Sequence, residues 1–155
     1  MYNHTKDNEP CSFCSFANGE ETEFNKKSDI VFEDDQTIAF IAPKWWINNP
    51  GHVMVIPKEH FENIYDIPDK LLAAVHIRVK KIAIALKEVY KCDGTSVRQH
   101  NEPAGNQDIW HFHVHVFPRY ENDELYQRHN EKRFVSIEER KPYAKKMKAY
   151  FSNNL

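Results

Sequence analysis

The sequence predicts an α+β domain, in which an antiparallel sheet of about five strands packs with one long helix and a C-terminal helix. Its short β-branched segments come in runs and do not alternate strictly with helices, as they would in a parallel α/β sheet. One longer segment repeats its apolar residues every three or four positions, which is typical of an amphipathic helix. A chain of 155 residues fits one domain, with 1–10 expected to be flexible and 121–155 expected to form a C-terminal extension.

The first strands are predicted to form a hairpin. Ile30–Glu33 and Thr37–Ile41 have strand character, and the polar residues 34–36 between them are typical of a turn. A loop with two tryptophans follows. His52–Ile56 is then mostly apolar and β-branched, which predicts a central strand that ends at Pro57.

The long helix is predicted over Asp69–Tyr90. Asp66 is its expected N-cap, Pro68 is expected in the first turn, and Asp93-Gly94 is expected to end it. Its apolar stripe consists of Leu72, Val75, Val79, Ile82, Leu86 and Val89. Further apolar residues lie outside that stripe, so a partner surface is expected on this helix.

Two more strands and a helix complete the predicted pattern. Thr95–Gln99 is a strand candidate, and a loop runs from Asn101 to Gln107. Ile109–Phe117 is predicted to be the last long strand. Ser136–Phe151 is predicted to be a basic, weakly amphipathic helix.

Composition excludes several classes of function. Lys and Arg number 21 and Asp and Glu 23, so the net charge of −2 does not favour a general nucleic-acid binder. An anionic ligand would have to be held by a few well-placed donors. The sequence predicts a cytoplasmic protein without a membrane partner, because it has no apolar stretch of membrane-spanning length and its first ten residues lack a signal-peptide core. Three cysteines, an odd number, do not suggest a secreted disulfide framework.

Three histidines alternate with apolar residues in the segment 111–117. On a strand, His111, His113 and His115 would project from one face, while Phe112 and Val114 would face the other. A buried imidazole needs a hydrogen-bond partner or a metal. The pattern therefore indicates a metal site or an anion site, and a solvent-facing, histidine-rich strand edge is the structural alternative.

The pair Cys11 and Cys14 has the spacing of half a tetrahedral zinc site. A redox pair or two unrelated structural thiols are the alternatives. His52 and His60 flank the predicted central strand and have both a structural and a functional interpretation. The loop 101–108, rich in amides and Gly, is compatible with a phosphate cradle but also with ordinary turns.

These motifs together resemble the histidine-triad nucleotide hydrolases and transferases, in particular the zinc-bearing bacterial members. The resemblance includes the His-φ-His-φ-His-φ-φ motif at 111–117, where φ is apolar, and Pro50-Gly51-His52 upstream. It also includes the cysteine pair, the segment 57–60 and Pro118-Arg119-Tyr120. It implies a fold similar to that of the family.

The resemblance implies roles for particular residues. His113 would be the nucleophile at the α-phosphorus of a nucleotide, and His115 would donate to phosphate oxygens or to the leaving group. His52 matches a further active-site histidine. The implied substrate contacts are Phe40, Ile41, Asn101, Gln107 and His115. The implied structural zinc ligands are Cys11, Cys14, His60 and His111.

The expected function is a hydrolase that cleaves a phosphoramidate or phosphoanhydride at the α-phosphate of a purine nucleotide, with adenine favoured, or of a dinucleoside polyphosphate. The expected assembly is a homodimer. The alternatives are a nucleotide-binding regulatory protein with little turnover and a nucleotidyltransferase. A hydrolase with a catalytic zinc in the triad is disfavoured, because four protein ligands leave no open position.

Two departures from the family pattern concern the nucleotide pocket. Asp108 stands where many relatives have Ser or Thr near the leaving group, and a carboxylate there would repel phosphate oxygens. Residues 42–44 replace a common ribose-binding Asp. Trp45 and Trp46 follow, either as base-stacking residues or as anchors of a loop or dimer interface.

Overall fold

The computed structural model describes residues 2–5 and 10–154. Half of the predicted flexible segment 1–10, namely residue 1 and residues 6–9, therefore lies outside the described residues. The helices are α1 (Ser12–Ala17), α2 (Asp69–Tyr90) and α3 (Ile137–Asn153). The strands are β1 (Ile30–Glu33), β2 (Thr37–Ile41), β3 (Lys44–Trp46), β4 (Val53–Pro57), β5 (Gly94–Gln99), β6 (Val114–Arg119) and β7 (Lys132–Phe134).

The predicted α+β class is confirmed. Five strands form an antiparallel sheet in the order β1-β2-β4-β6-β5, with α2 and α3 on one face. The buried stripe of α2 includes Val75, Val79, Ile82 and Leu86, and it packs on the core residues of β4 and β6. Among the described residues, no helix combines the length and the apolar character needed to cross a bilayer.

The sheet has a second apolar cluster on its other face. Phe13 and Phe16 of α1 pack against Phe40 and Met54 there. α1 was not predicted, because six residues are too few to show helical periodicity. It covers the sheet next to the three histidines and so positions the N-terminal cysteines.

The predicted bounds of α2 match the structure, but the residues predicted to cap its two ends are wrong. Pro68, not Asp66, occupies the N-cap, and its carbonyl accepts from the amides of Leu71 and Leu72. The helix ends at Lys91, which adopts the left-handed conformation, at φ 55°, that a glycine usually provides at this position. Gly94 instead begins β5.

The predicted strand 109–117 begins later than expected. β6 starts at Val114, which pairs with Val55 of β4 on one side and with Gln99 of β5 on the other. Continuing the ladder with β4 would bring the chain to Pro57, which has no N–H to donate. The segment before Val114 therefore runs outside the ladder and places its histidines by other contacts.

The predicted C-terminal extension 121–155 adds two elements. β7 pairs with β3 in a small separate sheet, which the sequence analysis did not predict. α3 packs against β1 and α2, with Ala144, Met147 and Phe151 in the main core. A buried ion pair between Arg140 and Asp29, at 3.0 Å, links α3 to the turn before β1.

Candidate active site

The three histidines of the motif reach the site in different ways. His115 lies on β6, where it is paired with Met54 of β4 on one side and Arg98 of β5 on the other. His111 and His113 precede the strand and are both buried. The intervening Phe112 is buried on the side of the core, as the alternation predicted.

His113 is held in one tautomer. Its Nδ1 lies 2.7 Å from the carbonyl oxygen of His111, and because a carbonyl only accepts, Nδ1 carries the proton. Nε2 therefore retains a free lone pair. Burial lowers the pKa of His113, partly opposed by the His111 carbonyl and by the charge of Asp108. The ring is thus a neutral imidazole in the wall of a cavity.

His115 and His52 form a second pair of neutral imidazoles. Nδ1 of His115 lies 3.4 Å from Nε2 of His52, and both rings stack on Phe117. Burial lowers the pKa of His115 well below its usual range, and burial with the nearby Arg98 charge lowers the pKa of His52 to about 3. Each ring therefore offers one donor and one acceptor at neutral pH.

These histidines line a cavity of about 730 Å³. Such a volume is within the range of small-molecule sites. Phe24 and Phe134 stack at 4.6 Å in its wall, and Lys44 lies over the Phe134 ring. The remaining charged residues of the wall are Arg98, Lys132 and Asp108. Among the described residues, Asp108 is the only carboxylate there.

Seven predicted active-site and substrate residues are not metal-ligand candidates, and four of these seven do not line the cavity. Phe40 and Ile41 are fully buried in the two apolar clusters. Asn101 accepts from the amide of Ile64 at 2.8 Å. Gln107 uses its amide on the backbone, with its oxygen 2.8 Å from the nitrogen of Glu102. Asn101 and Gln107 thus help to hold the loop 101–108 in place, while Asn106 and Asp108 of the same loop line the cavity.

Several cavity residues were missed by the sequence analysis. They are Phe24, Arg98, His100, Tyr126, His129, Lys132 and Phe134. Arg98 carried one usable signal, because it alternates on a predicted strand that was a candidate neighbour of the histidine strand. The others belong to no motif, and four of them come from the segment beyond 120. Trp46 lines the cavity, whereas Trp45 is buried against Tyr143.

The four predicted metal ligands are brought together. The ligand atoms of Cys11, Cys14, His60 and His111 all lie within 4.8 Å of one another. Sγ of Cys11 is 3.4 Å from Nδ1 of His111, and Sγ of Cys14 is 3.2 Å from Nδ1 of His60. In a tetrahedral zinc site, sulfur and nitrogen ligands are about 3.6 Å apart.

The surroundings of this cluster also suit a cation. Nε2 of His111 lies 2.9 Å from the carbonyl of Pro57, so that nitrogen donates and Nδ1 faces the thiols as an acceptor. Burial and the adjacent Cys11 raise the pKa of Cys14 to about 12. Because a bound dication deprotonates such thiols, the set fits a metal with four protein ligands.

The geometry agrees with what comparison with known proteins finds. The family model for the HIT domain matches residues 23–122. The chain belongs to the HIT domain family. This HIT protein is 34% identical over 131 residues to an uncharacterized HIT-like protein of Methanocaldococcus jannaschii, which covers 83% of this chain and 94% of the relative. It is 29% identical to an adenylylsulfatase of Arabidopsis thaliana, HINT3, over 75% of this chain and 55% of that protein.

Solved structures of HIT proteins share the fold. A Hit-like protein from Bartonella henselae is 33% identical and superimposes with a TM-score of 0.74, over 88% of this chain and 93% of that one. A Zn-bound histidine triad family protein from Mycobacterium smegmatis is 24% identical, with a TM-score of 0.75 over 93% and 94% of the two chains. At that identity the second likeness bears on the fold alone.

Proposed function

We propose that this HIT protein hydrolyses purine nucleotides, with adenine favoured, at the α-phosphate. The observation that carries the proposal is the contact between Nδ1 of His113 and the carbonyl of His111, which leaves Nε2 as the free nucleophile in the cavity wall. A cavity with stacked aromatic rings and separate cations suits a base and its phosphates. The similarity to an adenylylsulfatase supports the same reaction class.

The reaction would proceed through a covalent intermediate. Nε2 of His113 attacks the α-phosphorus, a phosphorus–nitrogen bond forms, and the bond to the leaving group breaks. Water then attacks the same phosphorus and releases the nucleoside monophosphate and free His113. His115, neutral and next to His52, would donate a hydrogen bond to the phosphoryl oxygens. With an acceptor other than water, the same site would act as a nucleotidyltransferase.

We further propose that the cluster of Cys11, Cys14, His60 and His111 holds zinc with a structural role. The ion would cross-link the N-terminal helix to the sheet. With four protein ligands it would have no open coordination position for a substrate. His111 would then connect the metal to the active site, since its carbonyl fixes the tautomer of His113. The thiol-rich ligand set favours a reducing compartment, in agreement with a cytoplasmic protein.

Replacing the nucleophile tests this function. We expect His113→Ala to lower release of AMP from adenosine 5′-phosphoramidate and diadenosine triphosphate by at least ~10³-fold, which corresponds to about 4 kcal/mol of barrier. The variant is expected to keep the fold and the zinc, because the His113 ring lines a cavity and is not one of the four metal-ligand candidates. His76→Ala, on the exposed face of α2, is the matched control and is expected to keep wild-type turnover.

Trapping identifies the attacking residue directly. Labelled nucleotide, rapid quench at alkaline pH and mass analysis of the peptide containing 111–117 are expected to show the adduct on His113. An adduct on another residue, or wild-type turnover in His113→Ala, would overturn the assignment.

The second candidate function is a nucleotide-binding regulatory protein with little turnover. Asp108 is the observation that favours it, because its carboxylate lines the cavity that would receive the phosphates. Tight binding of AMP without release of product from either substrate would identify this function.

A further inference from the structure

In one part of the cavity wall, two cationic side chains lie over aromatic rings. The Arg98 guanidinium carbon lies 5.2 Å from the ring centre of Phe117 and 4.5 Å from that of Tyr126. Trp46 has Arg98 at 6.0 Å and the Lys132 ammonium at 5.2 Å from its ring centre. Because Arg98 is the cross-strand partner of His115, this cationic group borders the catalytic histidines.

These cations are not neutralised within the part of the chain that the structure describes. Arg78, Arg119 and Arg140 each have a carboxylate within 3.0 Å. Arg98 and Lys132 have none within 4.0 Å among residues 2–5 and 10–154.

Two buried donors in the same region also lack acceptors. They are Nη2 of Arg98 and Nε1 of Trp46, which have no hydrogen-bond partner among the described residues. Leaving a buried donor unsatisfied is unfavourable, and more so for a charged group. An oxyanion bound in the cavity would satisfy both the charge and the hydrogen bonds.

The wall that carries Tyr126 and Lys132 is preorganised. The buried Asp123 accepts two hydrogen bonds from Arg119, each at 2.7 Å, and another from Asn49 at 2.7 Å. This anchor holds the start of the segment 123–134, which lies beyond the residues that the HIT model matches. The subsite is therefore partly built by a segment outside the family core.

We propose that Arg98 and Lys132, with Trp46 and Tyr126, form a subsite for an anionic leaving group, namely a phosphoryl or sulfuryl group joined to the α-phosphate through oxygen. The inference rests on the proposed hydrolase and narrows its substrates to anhydrides in preference to phosphoramidates of neutral amines. Attack by His113 breaks the bond between the α-phosphorus and the bridging oxygen, and the electron pair leaves with that oxygen. The leaving group thereby gains negative charge, which the two cations stabilise.

An amine leaving group behaves differently. Its nitrogen takes the electron pair together with a proton donated by His115, which the water of the second step restores, and it departs neutral, so it gains little from Arg98. Removing a subsite cation should therefore change the preference between leaving groups. Removing a residue with only a structural role would lower activity on all substrates alike.

The test compares substrates that share AMP and differ in the leaving group. They are diadenosine triphosphate, which releases ADP, adenosine 5′-phosphosulfate, which releases sulfate, and adenosine 5′-phosphoramidate, which releases ammonia. We expect Arg98→Met to lower kcat/KM roughly 10- to 100-fold on the two anhydrides and little on the amidate. Lys132→Met is expected to lower activity on the same two anhydrides by a smaller factor. Arg98→Lys is expected to retain part of the anhydride activity that Arg98→Met loses.

Lys145→Met, an exposed lysine of α3, is the matched charge control. A loss confined to diadenosine triphosphate would assign the subsite to a nucleotide, and a loss on both anhydrides to oxyanions in general. Equal loss on all three substrates in Arg98→Met and Lys132→Met would overturn the subsite while leaving the hydrolase in place.

Binding separates failure of the subsite from failure of the hydrolase. If wild-type protein releases AMP from none of the three substrates, the proposed hydrolase fails, and calorimetric titration with AMP and ADP then decides the subsite alone. The expected result is tighter binding of ADP than of AMP, with the difference lost in Arg98→Met. Equal affinities in the wild type, or an unchanged difference in the variant, would overturn it.

Discussion

His113 and His52 line the same cavity but differ in how their tautomers are fixed. His113 donates from Nδ1 to a carbonyl, which leaves Nε2, the proposed nucleophile, with a free lone pair. His52 has no partner for Nδ1 among the described residues, and its Nε2 faces His115. Burial keeps both rings neutral, but only His113 has its tautomer set by the backbone.

The depressed pKa of His52 predicts a loss of stability in mild acid. Its pKa is about 3 in the native state, against 6.5 as the ordinary value. Below pH 6.5 the unfolded chain binds a proton that the native protein excludes, so stability present above that pH is lost as the pH falls towards the folded pKa. Between pH 7.5 and 5.0 this contributes a loss of about 2 kcal/mol.

His52→Gln removes this titration. Denaturant unfolding at both pH values is expected to show a smaller loss for the variant than for the wild type, by about 2 kcal/mol. Acid weakening of the metal cluster is common to both proteins and cancels in the difference. Parallel pH dependences would show that His52 is protonated in the native state or does not control acid stability.

The sequence predicted the grouping of the four metal-ligand candidates. The two cysteines, His60 and His111 meet as the spacing and the family resemblance implied. Asn101 and Gln107 do not line the cavity, because their amides bond backbone groups, of Ile64 for Asn101 and of Glu102 and Ile109 for Gln107. Such a preference depends on which backbone groups the fold leaves unpaired, and the sequence alone does not contain that information.

At the scale of elements, strand β6 is shorter than its apolar alternation predicts. The ladder between β4 and β6 stops at Val55 and Val114, before Pro57. The carbonyl of Pro57 instead accepts from the side chain of His111. The end of the strand thus frees His111 for the thiols and His113 for the cavity.

The elements that the sequence missed are short or formed by distant residues. β3 and β7 have three residues each and pair Trp46 with Lys132 across a long stretch of chain. Neither strand is long enough for a period-2 pattern to be distinguished from chance. By contrast, the bounds of α2, β1 and β2 were predicted as the structure has them, and those of β4 and β5 to within one residue.

Helix α1 is expected to depend on the metal cluster. Cys11 is both its N-cap, with Sγ 3.4 Å from the amide of Cys14, and a proposed zinc ligand. Cys11→Ser is expected to reduce bound zinc from about one equivalent to less than half after dialysis, and to lower the melting temperature, because metal binding is coupled to folding. Elemental analysis and thermal unfolding measure the two effects.

Cys92→Ala is the matched control, because Cys92 is a buried thiol outside the cluster. It is expected to keep its full zinc content even if packing loss lowers its stability. Wild-type protein that carries less than about a tenth of an equivalent, without exposure to a chelator, would refute the zinc site.

At the scale of the whole molecule, the β5 edge of the sheet has no further partner strand in the described structure. β5 is the terminal strand, and Val97 on it is 47% exposed. On the neighbouring helix α2, Ile77 and Ile84 are 59% and 46% exposed. An unpaired edge beside exposed apolar side chains is a typical surface for association with a second strand.

We predict that two copies meet at this surface in a two-fold homodimer, because pairing of identical edges is self-complementary. Light scattering at micromolar concentration is expected to give twice the chain mass of 18.4 kDa for the wild type. Ile84→Asp is expected to give the single-chain mass, since it places a carboxylate in the apolar interface. Ile47→Glu, which changes an exposed isoleucine directly after β3, is expected to leave the dimer intact. A wild-type mass near 18.4 kDa, or a dimer that persists in Ile84→Asp, would count against this interface.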